Sequence, residues 1–345
     1  MTILAELVDV VIGVDTHKHM HMTMPVTATG VAHPALEVPA TPIGFDRALA
    51  AAAGVGERRA WAIEGCGSWG RGFTRWLQAR GERVIEVERP ARPKRRMGRK
   101  NDMIDAERAA REALRSHVHV EPKAEGVRDV IAAAQLARDS AVQAATNAER
   151  QLLALANTAP ETLAGRLRGM TTSHTVRTCA TWQPTRLNNP ADTAIAATMR
   201  TLARRVITLR KEAGEHLKVL DNHVRQWRPD LLEQTGVGPV VAATVLLAWS
   251  HPGRVRSAAA FCMLAGTAPI DASSGQTGKH RLNRHGDRKL NVAINTIAIT
   301  RMRCECRTRD YVAKRTSDGK TPRDIRRCVK NYVARDLFNL LEHTP

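Results

Sequence analysis

The segment VVIGVDTHK, residues 10–18, indicates how the N-terminal part of the chain folds. The run from Val8 to Val14 is short, rich in β-branched residues and followed by Asp15, a pattern typical of a buried strand. Residues 19–26 alternate weakly between apolar and polar side chains. They predict a second strand that forms a hairpin with the first.

Strands and helices alternate over the rest of the first 120 or so residues. This order favours an α/β domain in which helices cover a mostly parallel sheet. The predicted elements are a helix over 42–53 capped by Thr41, a strand over 59–63 ending at Glu64, a helix capped by Ser68 and ending near Ala79, a strand over 83–87, and a helix from Asn101 or Asp102 to Leu114.

The middle of the chain has a helical pattern. Residues 127–155 are rich in alanine, and from Ile195 apolar residues recur at steps of four and three. This spacing predicts an antiparallel helical hairpin or a coiled coil. We expect it to join subunits in a dimer or larger assembly, and a hairpin within one chain is the alternative. The expected seam is Ile195, Met199, Leu202, Val206, Leu209, Ala213, His216, Leu220 and Trp227.

The C-terminal region is expected to be mainly helical. Its segment LLEQTGVGPVVA, residues 231–242, predicts a helix, a Gly-x-Gly turn and a second helix, and it resembles a helix-hairpin-helix. Gly236 and Gly238 would let backbone N–H groups approach a phosphate, and a plain turn between helices is the alternative. The predicted domains are therefore 1–122, 123–228 and 229–345.

The charge of the chain points to a polyanionic partner. Its 345 residues carry 53 Lys and Arg against 34 Asp and Glu, a net charge of +19. Nucleic acid is the expected partner, and a membrane surface is the weaker alternative because no basic amphipathic helix stands out. Only 3% of the residues are aromatic, so contacts with the backbone of a duplex or a folded RNA should outweigh base stacking.

Two segments concentrate the positive charge. Residues 89–100, RPARPKRRMGRK, hold seven Lys and Arg, and residues 279–335 hold 17 against five acids. Such charges give affinity for phosphates without sequence specificity, although a solvated loop would also explain the first segment. The candidate contacts are Arg92, Lys94, Arg95, Arg96, Arg99, Lys100, Lys279, Arg281, Arg284 and Arg288.

Four carboxylates are placed where a metal site could be built. Asp15 and Glu64 end predicted strands, and sites in parallel sheets collect at the carboxyl ends of strands. Asp102 and Asp105 are three residues apart at the start of a helix and share one face. Together they could hold two Mg²⁺ ions for phosphodiester chemistry. The alternative is that these are ordinary acids at turns and at a helix N-terminus.

The expected location is the cytoplasm. The N-terminus contains Glu6 and Asp9 and lacks a positively charged region, which argues against a signal peptide. The longest uncharged run, residues 235–253, is broken by Gly-Val-Gly-Pro, so no membrane span is expected. The six scattered cysteines indicate free thiols, with Cys304, Cys306 and Cys328 as an alternative set of metal ligands.

Several motifs together resemble the insertion-sequence family 110 transposases. GVDTHK with Asp15, AIEGCGSWG with Glu64, and KNDMIDAERAA with Asp102 and Asp105 resemble the DEDD motif of that family. QTGVGPVVAATVLLA, AGTAPIDASSG and LNRHGDRKLN follow in the family's order. The resemblance covers most of the chain, and the chain is also similar to the related pilin-gene invertases.

The resemblance implies an N-terminal RuvC-like (RNase H-like) domain, a coiled coil and a C-terminal transposase domain with a serine nucleophile. The family's serine matches Ser274, with Ser273 adjacent. The family is also guided by a structured non-coding RNA that pairs with the element ends and the target DNA. One departure is His285, which stands before Gly286 where the family commonly has Lys or Arg.

The leading interpretation is therefore a DNA transposase or site-specific recombinase that cuts and joins strands with Mg²⁺ and a serine nucleophile. A hydrolytic RuvC-like nuclease or resolvase would use the four acids without the serine. A non-catalytic nucleic-acid-binding protein would need neither.

Overall fold

The computed structural model describes residues 3–87, 101–271, 280–281 and 283–343. The chain divides into two compact units, one ending at Ala124 and the other beginning at Glu125. The predicted boundaries at 122/123 and 228/229 stay predictions.

The described residues of the first unit form a five-stranded sheet with helices on both faces. The strand order is β3-β2-β1-β4-β5. Strand β1 runs parallel to β4 and antiparallel to β2. The elements are α1 (Leu4–Leu7), β1 (Val10–Thr16), β2 (Met20–Thr27), β3 (Leu36–Pro39), α2 (Pro42–Ala53), β4 (Arg59–Glu64), α3 (Arg71–Gln78), β5 (Arg83–Val87) and α4 (Asp102–Arg115).

The α/β prediction for this region and the β1–β2 hairpin are confirmed. The expectation of a mostly parallel sheet is wrong, because β2 and β3 both pair antiparallel and only β1, β4 and β5 are parallel. Strand β3 was not predicted. The predicted cap of helix α3 is wrong: the helix begins at Arg71 with Gly70 as its N-cap, and Ser68 instead donates its backbone N–H to the Gly65 carbonyl in a turn.

Alternation along β1 sends its side chains to the two faces of the sheet. Val10, Ile12 and Val14 pack into a cluster with residues of α2 and α3. Val11 packs into the cluster on the other face, with the alanines of α4. All residues of β1 up to Asp15 are buried, as expected for a strand covered on both sides.

Helix α4 touches β1 backbone to backbone at Gly13. A Cβ atom at this position would overlap the Ala106 carbonyl and lie 2.8 Å from the Ala110 nitrogen. The buried side of α4 consists of alanines, which allow the close approach: Ala106, Ala109, Ala110 and Ala113.

The second unit is built around two long helices, and its mainly helical C-terminal region is confirmed. Arg210 of α8 pairs with Glu149 of α5 at 2.5 Å, whereas Ile131 clusters with Val224, so these helices run antiparallel. The elements are α5 (Val127–Thr158), α6 (Glu161–Ala164), α7 (Thr172–Thr181), a 3₁₀ turn (Pro184–Arg186), α8 (Pro190–Trp227), α9 (Pro229–Leu232), α10 (Pro239–Trp249), α11 (Ala258–Leu264), β6 (Ile270–Asp271), β7 (His280–Arg281), α12 (Arg288–Cys304), α13 (Cys306–Ser317) and α14 (Pro322–His343).

The packed seam of α8 differs in part from the predicted one. Ala196 and Ala203 are fully buried, while Ile195 and Leu202 are only partly buried at the edge of the seam. Alanines at the contact let the two helices lie close together, which a larger side chain would prevent. The seam is buried within one chain, so its 4-3 spacing does not by itself require a second subunit. The shared seam positions are Met199, Val206, Ala213 and Leu220.

Arg228 ties the end of α8 to the last helix. Its guanidinium donates to the carbonyls of Leu340 and Leu341 at 2.8 and 3.0 Å and bonds Asp230 on its other side. The hydrogen bond from Arg228 holds the pKa of Asp230 below its ordinary value. The buried arginine also supplies hydrogen-bond donors to two carbonyls at the end of α14 that have no partner within the helix. Among the described residues, none of the helices combines the length and apolar character needed to cross a bilayer.

We predict that Gly13→Ala destabilises the first unit by about 3 kcal/mol, because the added methyl group meets helix backbone that cannot move aside. Urea unfolding of the full chain measures the loss. Gly72→Ala is the control, since a Cβ there meets nothing within 4 Å and alanine favours the helix. Equal stability of the two variants would contradict the contact at Gly13.

His21 generates a second prediction. Its fully buried ring stacks against both Phe45 and Phe73, and burial lowers its pKa below the ordinary histidine value. Below about pH 6.5, His21 therefore binds a proton in the unfolded chain that it does not bind in the folded chain. The free energy of unfolding should fall by up to about 1 kcal/mol between pH 6.5 and 5.5. His21→Phe keeps the stacking and removes the titration, so urea unfolding at both pH values should show a smaller loss in this variant. An unchanged pH dependence would assign the loss to other groups.

Candidate metal centre and nucleic-acid interface

Two acids lie at the ends of neighbouring parallel strands. Val14 of β1 pairs with Ile63 of β4, and Asp15 and Glu64 each follow by one residue. Alternation puts both on the face covered by α4, the face of Val11 and Ala62. Asp15 is 6% exposed, so its carboxylate lies in a site largely closed to water.

The first turn of α4 brings two more acids to this face. Asn101 caps the helix by accepting the backbone N–H of Met103 at 3.1 Å, as the sequence predicted. Asp102 and Asp105 follow in the first turn, and Asp105 forms an ion pair with Arg108 at 3.0 Å. Because α4 touches β1 at Gly13, its first turn lies close to the end of that strand.

His17 joins two of the acids into one cluster. Its Nε2 atom lies 3.2 Å from Asp15 Oδ2 and 3.2 Å from Asp102 Oδ2. Ligand atoms of the three residues all lie within 4.8 Å of one another, a spacing that could hold a metal ion. Two carboxylates and an imidazole suit a divalent cation such as Mg²⁺ or Mn²⁺, with the imidazole favouring the latter.

Among the described residues, this is the one set of three such groups close enough to share an ion, and it contains Asp15 and Asp102 but neither Glu64 nor Asp105. Cys304, Cys306 and Cys328 do not form such a set either. Glu64 is linked to β1 through its backbone, since the Thr16 hydroxyl donates to its carbonyl at 2.8 Å. The sequence prediction missed His17, although its place two residues after Asp15, on the same face of an extended chain, was a usable signal.

Part of the predicted nucleic-acid interface lies outside the described residues. Arg281, Arg284 and Arg288 are described, and all three side chains are exposed. The predicted site residues outside the described ranges are Ser274 with its neighbour Ser273, Lys279, Arg92, Lys94, Arg95, Arg96, Arg99 and Lys100.

The two glycines of the hairpin segment differ in surroundings. Gly236 has a φ of +86°, and a Cβ there would lie 3.0 Å from Thr300 Cβ of α12, so this glycine makes room for helix packing. Gly238 caps α10, and a Cβ there would meet nothing within 4 Å. The open side of Gly238 leaves the N-terminus of an 11-residue helix accessible.

Two motif segments of the C-terminal region are held together by glycines and asparagines. Gly286 packs against Gly266, and a Cβ added at Gly286 would lie only 2.5 Å from the Gly266 α-carbon. Asn283 donates to the Met263 carbonyl at 3.2 Å, and Asn291 donates to the Ala265 carbonyl at 2.7 Å. These contacts fix the loop that leads into β6, and thus one end of the segment that contains Ser274.

Residues 229–313, from α9 into α13, match the family model described as Transposase IS116/IS110/IS902 family. A comparison with curated proteins gives no match. The family match covers 85 of the 345 residues, and it supports a transposase of this family, an enzyme that acts on DNA.

Proposed function

We propose that this chain is the transposase of an insertion sequence, which cuts and joins DNA strands by metal-assisted phosphoryl transfer. The observation that carries the proposal is the convergence of Asp15, His17 and Asp102 in a chain whose C-terminal region matches a transposase family. The mixed sheet, with acids at the ends of two neighbouring parallel strands, supports a RuvC-like first unit.

The four acids are proposed to hold Mg²⁺. Asp15 and Asp102 present carboxylate oxygens to one point, which fits the oxygen ligands that Mg²⁺ prefers. A divalent ion there would act as a Lewis acid toward a phosphoryl oxygen. Glu64 ends the neighbouring strand β4, and Asp105 lies on α4 with Asp102. Both are proposed to complete the set and to help hold a second ion. His17 is proposed to be the third ligand, through its Nε2 atom.

Ser274 is proposed to be the nucleophile, with Ser273 as the adjacent alternative. A serine hydroxyl is a weak nucleophile at neutral pH, so it needs help from neighbouring groups. The exposed Arg281, Arg284 and Arg288 follow shortly after it in sequence and would neutralise the charge of the attacked phosphate. The hydroxyl would attack the phosphorus, its proton would leave to water, and the 3′ or 5′ oxygen of the cut strand would be the leaving group.

The nucleic-acid partners are proposed to be the element ends, the target DNA and a structured guide RNA. The resemblance supports the RNA, and the net charge of +19 supports polyanionic partners in general. A homo-oligomer is proposed from the 4-3 apolar spacing of α8, and light scattering of the full chain, both free and with nucleic acid bound, tests it.

We predict that Asp15→Asn and Asp102→Asn abolish strand cleavage and weaken Mg²⁺ or Mn²⁺ binding at least tenfold, because each removes a charged ligand. Calorimetric titration with the metal alone measures the second effect without any reaction. Binding of DNA should survive, since the change removes negative charge. Asp46→Asn, an exposed acid on α2, is the control. Full cleavage by both site variants would contradict a catalytic role for Asp15 and Asp102.

The role of Ser274 as nucleophile is tested by trapping a covalent adduct between the protein and a labelled element end. Mass spectrometry then locates the modified residue. We expect Ser274→Ala to abolish the adduct and Ser273→Ala to retain it. The reverse result moves the nucleophile to Ser273. Cleavage without any adduct, in variants that lack both serines, supports the hydrolytic nuclease instead. Repeating the assay with and without RNA transcribed from the DNA flanking the gene shows whether recombination depends on that RNA.

A further inference from the structure

The second unit contains a cavity of about 710 Å³ beside the loop of residues 266–269. Its walls come from this loop, from β7 and from the turn between α13 and α14 with the start of α14. The volume falls in the range of pockets that take a small organic ligand. Five of its lining residues are cationic and one is acidic: Arg281, Arg315, Lys320, Arg327 and Lys330, with Asp324.

The cations of the cavity are poorly neutralised. In the part of the chain that the structure describes, neither Lys320 nor Lys330 pairs with a carboxylate. Lys330 donates to the neutral Asn291 Oδ1 at 2.7 Å, and burial lowers its pKa below the ordinary lysine value. Arg315 and Arg327 pair with nearby acids of their own helical turns at 2.9 and 3.4 Å. Pairs of this kind are worth about 0–1 kcal/mol and exchange readily for a phosphate.

An aromatic side chain stands in the same cavity. Tyr332 is 51% exposed, an unusual amount for an aromatic residue that lines a pocket. Its ring meets Tyr311 edge to face at 5.5 Å, and this contact fixes its orientation. Burial raises the pKa of Tyr311 to about 12, so Tyr311 stays neutral. Bases stack on exposed aromatic rings of this kind, while cations near the ring bind the phosphates.

We infer that this cavity binds one unstacked nucleotide of a single-stranded segment, with the base against Tyr332 and the phosphate on Lys320 and Lys330. The inference rests on the proposed function only in taking nucleic acid as the partner. A nucleotide inside a duplex cannot enter the cavity without leaving its stack. DNA and RNA offer the same base and phosphate chemistry, so either could supply the strand.

The first test measures the affinity of the full chain for a short single-stranded DNA, the RNA of the same sequence and the matching duplex DNA. Tyr332→Ala should weaken single-strand binding about tenfold, because stacking on one aromatic ring contributes on the order of 1–3 kcal/mol. Tyr332→Phe should retain it. Lys320→Gln should weaken it more than Lys314→Gln, which removes an exposed charge of α13 outside the cavity. Whichever of the two single strands, DNA or RNA, binds more tightly identifies the source of the nucleotide.

The result that overturns the inference is an equal effect of Tyr332→Ala on single strand and duplex, or no effect on either. In those cases the surface is a general basic patch or takes no part in binding.

The second test uses Cys328, which lines the cavity. A bound single strand should slow alkylation of Cys328, while the exposed Cys304 on α12 reacts as before. Equal alkylation of Cys328 with and without the strand argues against binding in the cavity. Protection of Cys328 from alkylation does not depend on cleavage. A chain that lacks recombinase activity but still protects Cys328 would therefore contradict the proposed function and support the nucleotide site.

Discussion

The position of the acids depends on the backbone contact between α4 and β1 at Gly13. A side chain there would push α4 off the sheet, since its Cβ would overlap the Ala106 carbonyl. Asp102 stands one turn before Ala106, and Asp15 stands two residues after Gly13, so one contact fixes the separation of the two carboxylates. His17 then lies within 3.2 Å of both. The candidate metal centre is thus a consequence of helix-on-strand packing, with alanines on one side and a glycine on the other.

Much of the first unit was predictable, because β1, β4 and β5 are short apolar runs and Thr41 and Asn101 are good N-caps. Strand β3 was not, because its four residues include Glu37 and Pro39 and show no clear alternation. It forms through pairing with β2, a partner that local sequence does not reveal. In α8 the seam positions Met199 and Val206 were predicted correctly, but the other set was displaced by one residue, since the pattern favoured Ile195 and Leu202 over the smaller Ala196 and Ala203. Close helix packing selects small residues that hydrophobicity alone ranks low.

The candidate sites, like the fold, were only partly predictable from the sequence. Asp15, Asp102 and the face they share follow from strand alternation and helical spacing, which are local properties. The contact of Gly266 with Gly286 and the asparagine bonds to residues 263–265 join segments about 20 residues apart, so they become visible only in three dimensions. The same holds for the cavity beside Tyr332, which combines a loop, a strand and two helices. Motif residues that resemble those of a family can thus be structural, as Gly236 is where it packs on α12.

The two units differ in net charge. Residues 1–124 carry 19 Lys and Arg against 15 acids, a net +4, and the remaining residues carry 34 against 19, a net +15. The second unit therefore supplies most of the attraction for a polyanion. The carboxylates around Asp15 would by themselves repel a phosphate, and arginines near them would bind it without polarising it. A divalent ion bound at the cluster would offset the charge of two carboxylates and present a positive centre to the phosphate. Burial of Asp15 would strengthen its interaction with such an ion, because less water screens it. In the proposed reaction, the cations of the second unit would attract phosphate, and the acids of the first unit would act on it through a bound ion.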